Sequence, residues 1–339
     1  MIAKMILPYL GGTPAVWNTC LFFFQTFLLA GYAYAHCATR WIGTRHHALL
    51  HLGIMLAAVF FLPIHLPVHA LTHPGDLPVK TVFSALFLYA GLPFFVLSAS
   101  SPLFQKWFAE TGHPAAKDPY FLYGASNLGS LFGLFAYPFL LEANFAVAEQ
   151  SRIWLYGYLA FVVLTFFCAL SFRRVPPERT QDATCENTIG HDVEKPTLRR
   201  RARWLILSFI PSSLLLGVST YIANDVASMP FLWILPLALY LLSFAFAFGR
   251  SQWPSYPVIV RVQVFLLTAA AITFFAQATD PGWLLVPLHL AAFFATALVC
   301  HRQLQQDRLP KPLLTEFYLW ISIGGALGGF FNAFLAPLL

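Results

Sequence analysis

Residues 82–104 read VFSALFLYAGLPFFVLSASSPLF, an unbroken run without a charged side chain. A helix needs about 20 such residues to cross the roughly 30 Å hydrocarbon core of a bilayer. Nine further stretches of the same kind surround it: 16–36, 48–65, 119–141, 153–172, 204–222, 229–248, 258–278, 282–300 and 315–338. None has Asp, Glu, Lys or Arg at its centre. Lipid offers no partner to a free backbone amide, so long continuous apolar runs of this kind fold as spanning helices. The expected fold is an all-α polytopic membrane protein with about ten spans.

Composition agrees with that reading and excludes others. The chain is 58% hydrophobic and 10% charged, with 35 phenylalanines. A soluble domain carries about 25% charged residues, so the polar surface here is too small to solvate a globule. The net charge of +6 is spread between apolar runs and forms no continuous basic face, which argues against nucleic acid as a partner. The partner implied is the lipid bilayer. Cys20, Cys37, Cys168, Cys185 and Cys300 include no CxxC pair and read as free thiols. The first ten residues lack the order of regions that marks a cleavable signal peptide.

Orientation follows from the bias of Lys and Arg toward cytoplasmic loops. With residues 1–15 outside, ten spans leave 17 of the 20 basic residues in five cytoplasmic loops. Only Lys4, Lys80 and Arg152 fall on the other side. Residues 173–203 form the one long polar segment, running from Arg173-Arg174 to Arg199-Arg200-Arg201-Ala202-Arg203. Its mixed charge and low hydrophobicity predict a disordered cytoplasmic linker. The linker divides the chain into a first membrane half, 1–172, and a second, 204–339. The expected location is a membrane of the bacterial inner (plasma) type.

The two halves resemble each other. Pro14-Ala15-Val16-Trp17 opens the first span and Pro230-Phe231-Leu232-Trp233 the seventh. Phe121, Ser126, Gly129, Leu131, Gly133 and Phe135 of the fourth span recur as Phe317, Ser322, Gly325, Leu327, Gly329 and Phe331 of the tenth. Both pairs run in the same direction, as in the parallel repeat of major facilitator transporters. Pairing the first span with the seventh and the fourth with the tenth leaves the fifth and sixth without counterparts. The expected architecture is therefore an incomplete six plus six.

Small and polar residues inside the spans supply the candidate sites. Gly129 and Gly133, Gly324 and Gly328, and Gly325 and Gly329 are GxxxG pairs, suited to close helix packing in lipid. Polar groups at membrane depth are costly and mark either interhelical hydrogen bonds or a polar cavity. Asn18 and Gln25 share a helix face; Asn127 and His289 lie within spans. Asp225 and Glu316 lie near span ends, where Glu316 also suits the first turn of a helix. These six are the candidate substrate-binding residues. P-loop, HExxH and GxSxG patterns are absent, and no catalytic residue or cofactor is expected. His46-His47 and His51 have no Cys or carboxylate at ligand spacing, so the sequence predicts no metal site there.

Several strings resemble the membrane part of fused major-facilitator/spermidine-synthase-like proteins. They are PYLGGTPAVWNTCLFFFQTFLLAGYAYAH (8–36), LSASSPLFQKW (97–107), DPYFLYGASNLGSLFGLFAYPFLLE (118–142), PSSLLLGVSTYIANDVASMPFLWILPLALYLLSFAFAF (211–248) and LTEFYLWISIGGALGGFFNAFLAPLL (314–339). In that family a cytosolic aminopropyltransferase-like domain follows the membrane region and carries the catalytic residues. No part of that domain is in this sequence. The resemblance therefore implies one of two roles. One is a transporter-like module for a small solute, with an amine as the class suggested. The other is a non-transporting anchor or regulatory module for an aminopropyltransferase-like domain or chain.

Overall fold

The computed structural model describes residues 1–10, 14–65, 78–111, 113–174, 196–222, 234–249 and 254–336. The helices are α1 (Ile2–Leu10), α2 (Pro14–Trp41), α3 (Thr44–Ala58), α4 (Pro78–Ala109), α5 (Phe121–Ala136) and the short α6 (Glu142–Asn144). They continue as α7 (Val147–Arg174), α8 (Leu198–Tyr221), α9 (Ile234–Phe248), α10 (Tyr256–Phe275), α11 (Gly282–Gln306) and α12 (Leu314–Phe330). Among the described residues, eight helices are long and apolar enough to cross a membrane, and His46–Phe61 and Ile234–Phe248 are shorter apolar helices. Each of the ten expected stretches overlaps a helix among the described residues. Large apolar side chains such as Phe60, Phe132, Phe265 and Trp283 are exposed, a surface that lipid solvates and water does not.

Helix ends differ from the hydropathy reading in three places. Residues 2–10 form α1, where the sequence suggested only an exterior tail; Ile6 is buried in a cluster with Val16, Cys20, Phe23, Val82 and Leu86. The third span, expected over 82–104, belongs to a longer helix that continues past Pro102 to Ala109. Pro102 lacks an N–H, which removes one bond from the ladder. Nearby, Ser98 Oγ donates to Phe95 O (2.7 Å) and Ser100 Oγ to Val96 O (2.8 Å), and the helix runs on. Arg173 and Arg174 close α7, and residues 198–203 open α8. Those ends of the expected linker are therefore helical, while 175–195 lie outside the described residues.

The chain divides into two compact units. Unit 1 holds Met1–Pro119, Phe139–Thr197 and Pro310–Leu319. Its tightest pairing is α2 on α4: a Cβ on Gly31 would stand 2.1 Å from Ser98 Oγ and 2.9 Å from the Ala99 amide, so only glycine allows this approach. Phe23 stacks on Phe27 at 4.3 Å and meets Phe83 edge-on. Helix α7 is tied in by two buried bonds, Tyr158 Oη to Met55 O (3.0 Å) and Ser151 Oγ to Ile64 O (2.7 Å). Lys4 pairs with Glu142.

Unit 2 holds Tyr120–Pro138, Leu198–Leu309 and Trp320–Leu339. Helix α5 lies on α9, with Tyr123 edge-on to Phe244 and Phe248 at 5.2 Å. Helix α12 lies against α8 through Gly324 and Gly328. A Cβ on Gly324 would stand 2.0 Å from Ser208 Oγ and 2.4 Å from Leu205 O; on Gly328 it would stand 2.7 Å from Phe209 O. Ser212 Oγ donates to Gly325 O across the same seam (2.8 Å), and Gly329 is buried. Gly129 and Gly133 are different. Both are exposed, and a Cβ at either would meet nothing within 4 Å. Among the described residues, the GxxxG spacing of α5 thus packs against nothing, because α5 turns another face to α9. Both α5 and α12 end in a π turn, Tyr137–Leu141 and Phe331–Leu335.

Candidate functional site

A histidine inside an apolar helix must find a hydrogen-bond partner or carry the cost of desolvation. Four histidines meet hydroxyl groups, each within its own unit. In unit 2, His289 of α11 is buried, and its Nε2 lies 3.3 Å from Thr273 Oγ1 of α10. Thr273 Oγ1 also reaches Ala270 O of its own helix (2.9 Å). Further along α11, His301 Nδ1 lies 2.8 Å from Ser243 Oγ of α9, whose hydrogen goes to Tyr240 O (2.7 Å). The His301 ring lies on Phe244, centres 3.5 Å apart, and its buried Nε2 has no partner.

In unit 1, His51 Nε2 meets Ser100 Oγ (3.2 Å), and His36 Nδ1 meets Thr315 Oγ1 (3.0 Å). Glu316 follows Thr315 in the first turn of α12, half-buried and within electrostatic reach of His36. Tyr318 Oη donates to Gln105 Oε1 (2.5 Å), and Lys311 Nζ donates to Ala109 O (3.4 Å). The start of α12 is thus held to α2 and α4 by polar contacts in an otherwise apolar unit.

The clearest concavity beside these groups is in unit 2. A cavity of about 390 Å³ is lined by Tyr221, Phe274, Phe275, Gln277, Ala278 and Thr279. Its size suits a small solute. Tyr221 also covers His289 edge-on, at 4.8 Å between ring centres. A lining half aromatic, with the polar Gln277 and Thr279 and an imidazole beside it, can take up a small solute bearing hydrogen-bonding groups.

The sequence candidates divide unevenly. His289 lies next to the cavity. Gln25 is half-buried on α2. Asn127 is half-buried and donates one N–H to Tyr123 O (2.8 Å), one turn back on its own helix. The Asn18 side chain and Asp225 lie outside the described residues. His36, His51, His301 and the Tyr318–Gln105 pair were not singled out as a site. Their signal was present as histidines within or at the edge of apolar runs, but their hydroxyl partners are remote in sequence.

No protein family matches the chain, and no curated protein matches it. Among solved structures, it is similar to the proton:xylose symporter XylE of the major facilitator superfamily, solved with 6-bromo-6-deoxy-D-glucose bound. The likeness covers 99% of this chain and 83% of that one, with a TM-score of 0.59 and 12% sequence identity. The chain therefore has a major-facilitator-like, all-α fold and is an integral membrane protein of transporter-like architecture.

Proposed function

We propose that the chain is a transporter module moving a small solute that carries hydrogen-bonding groups, with amines as the first class to test. The fold likeness to a symporter over 99% of the chain is the observation that carries this reading. The His289 side chain beside the 390 Å³ cavity supports it. The proposed orientation has 173–203 in the cytoplasm, and Asn18, Gln25, Glu316 and Asp225 remain proposed contributors to solute binding. Purified chain in proteoliposomes should take up labelled spermidine, putrescine or xylose faster than protein-free liposomes. His289→Gln should lower the rate by about tenfold if its ring contacts the solute, since losing one hydrogen bond costs about 1–1.5 kcal/mol. No uptake of any of the three, together with binding of an aminopropyltransferase-like protein, would instead favour the anchoring role.

A further inference from the structure

His47 and His51 sit four residues apart on α3, so both rings leave one helix face, and both side chains are fully buried at 0% exposure. Tyr34 of α2 stands beside them. Its ring centre is 5.1 Å from that of His47 and 6.0 Å from that of His51, and the two imidazoles are 6.0 Å apart. Each of the three rings carries buried polar atoms without a hydrogen-bond partner: Tyr34 Oη, Nδ1 and Nε2 of His47, and Nδ1 of His51. A buried unpaired polar group is costly, and among the described residues four such atoms lie on three adjoining rings.

His51 Nε2 lies 3.2 Å from Ser100 Oγ, whose hydroxyl also reaches Val96 O (2.8 Å). With Nε2 engaged there, Nδ1 is left buried and, among the described residues, without a partner. An imidazole held by its N–H through a second group, with the other nitrogen free, is how proteins orient histidine toward a metal ion. Histidines at i and i+4 on one helix are also the spacing of helix-borne zinc sites.

Distance separates a shared proton from a shared ion. A ring nitrogen lies about 1.2 Å from its ring centre, so a direct N–H···N bond of about 2.9 Å needs centres within roughly 5.3 Å. An imidazole–metal bond of about 2.0–2.1 Å allows centres up to roughly 6.5 Å. The observed 6.0 Å is too long for the first and within reach of the second. Hard ions such as Mg²⁺ and Ca²⁺ prefer several oxygens, whereas imidazole suits late first-row metals.

We propose that His47, His51 and Tyr34 bind one late first-row transition-metal ion, of the Zn²⁺ class. His51 supplies Nδ1, His47 one ring nitrogen, and Tyr34 its oxygen, releasing the phenolic proton to solvent so that a phenolate offsets part of the charge. Among the described residues no three His, Cys, Asp or Glu side chains gather; here the third donor is a phenol, a ligand type that a search for imidazoles, thiols and carboxylates passes over. The site is independent of the transport reading.

The test uses the full chain in detergent, stripped with chelator and titrated with Zn²⁺, then with Co²⁺ as a spectroscopic probe. About one ion should bind, and His47→Gln and His51→Gln should each weaken it by about tenfold or more. Tyr34→Phe should abolish the proton release, and His46→Gln, at the exposed neighbour, should change nothing. In the unmodified chain, the ¹⁵N signal of His51 Nδ1 should shift on adding Zn²⁺, a readout that needs no variant to fold. Absence of stoichiometric binding, an unmoved His51 signal, or unchanged affinity in the His47/His51 double variant would each overturn the proposal.

Discussion

At the scale of single residues, identical spacings hide opposite environments. Gly129 and Gly324 both open GxxxG pairs, yet one faces open space and the other lies against the backbone of α8. Gly324→Ala should therefore destabilise by about 1–3 kcal/mol through overpacking, while Gly129→Ala should stay within about 0.5 kcal/mol of the parent. Thermal unfolding of both variants in the same detergent checks the contrast; equal melting temperatures would show that the α8–α12 seam yields freely. A second comparison concerns His301. Removing its partner with Ser243→Ala leaves a buried ring nitrogen unpaired and should cost about 1–3 kcal/mol, whereas Ser219→Ala, which loses only a bond to its own helix at Leu215, should cost less. These differences were not legible in the sequence. Spacing shows which residues share a face, but not which face meets a neighbour. For the same reason Asn127 read like His289, although one of its N–H groups turns back to Tyr123.

At the scale of elements, hydropathy located the eight spanning helices among the described residues, and two shorter apolar ones, because twenty uncharged residues leave the backbone no alternative to a helix in lipid. It failed where charge and helix coexist. Residues 199–203 read as linker, yet they form the first turns of α8. Four arginines there are a poor match for the positive end of a helix dipole, and Asp307 at the end of α11 supplies compensation. It pairs with Arg200 Nε at 2.8 Å, accepts from Trp204 Nε1 at 2.9 Å and lies 3.8 Å from Arg203. Nothing in the local sequence links positions 200 and 307. Asp307→Asn should lower stability by about 1 kcal/mol, a modest figure because Arg200 and Arg203 are partly exposed and screened. The loss should shrink at high salt. A deficit independent of salt would mean that the Trp204 bond, and not the charge, holds α8 in place.

At the scale of the whole molecule, the all-α membrane fold was legible from apolar run length alone, and the likeness to a symporter places it among major-facilitator-like architectures. The orientation proposed from basic residues has its own check. In a variant whose only cysteine is the native Cys185, a membrane-impermeant thiol reagent should label inside-out vesicles and spare intact cells; labelling of intact cells would reverse the topology. Helix length carries one more consequence. The uncharged run of α4, 82–104, has 23 residues, whereas α10, Tyr256–Phe275, has 20 with Arg261 inside it. At about 1.5 Å per residue these are roughly 35 Å and 30 Å, so one hydrocarbon thickness does not match both equally. A membrane that fits α10 upright forces α4 to tilt, bend at Pro93 or Pro102, or lift the lipid around it. The protein should therefore discriminate between lipids by acyl-chain length, with stability peaking at an intermediate length and falling on both sides as one helix or the other is left mismatched.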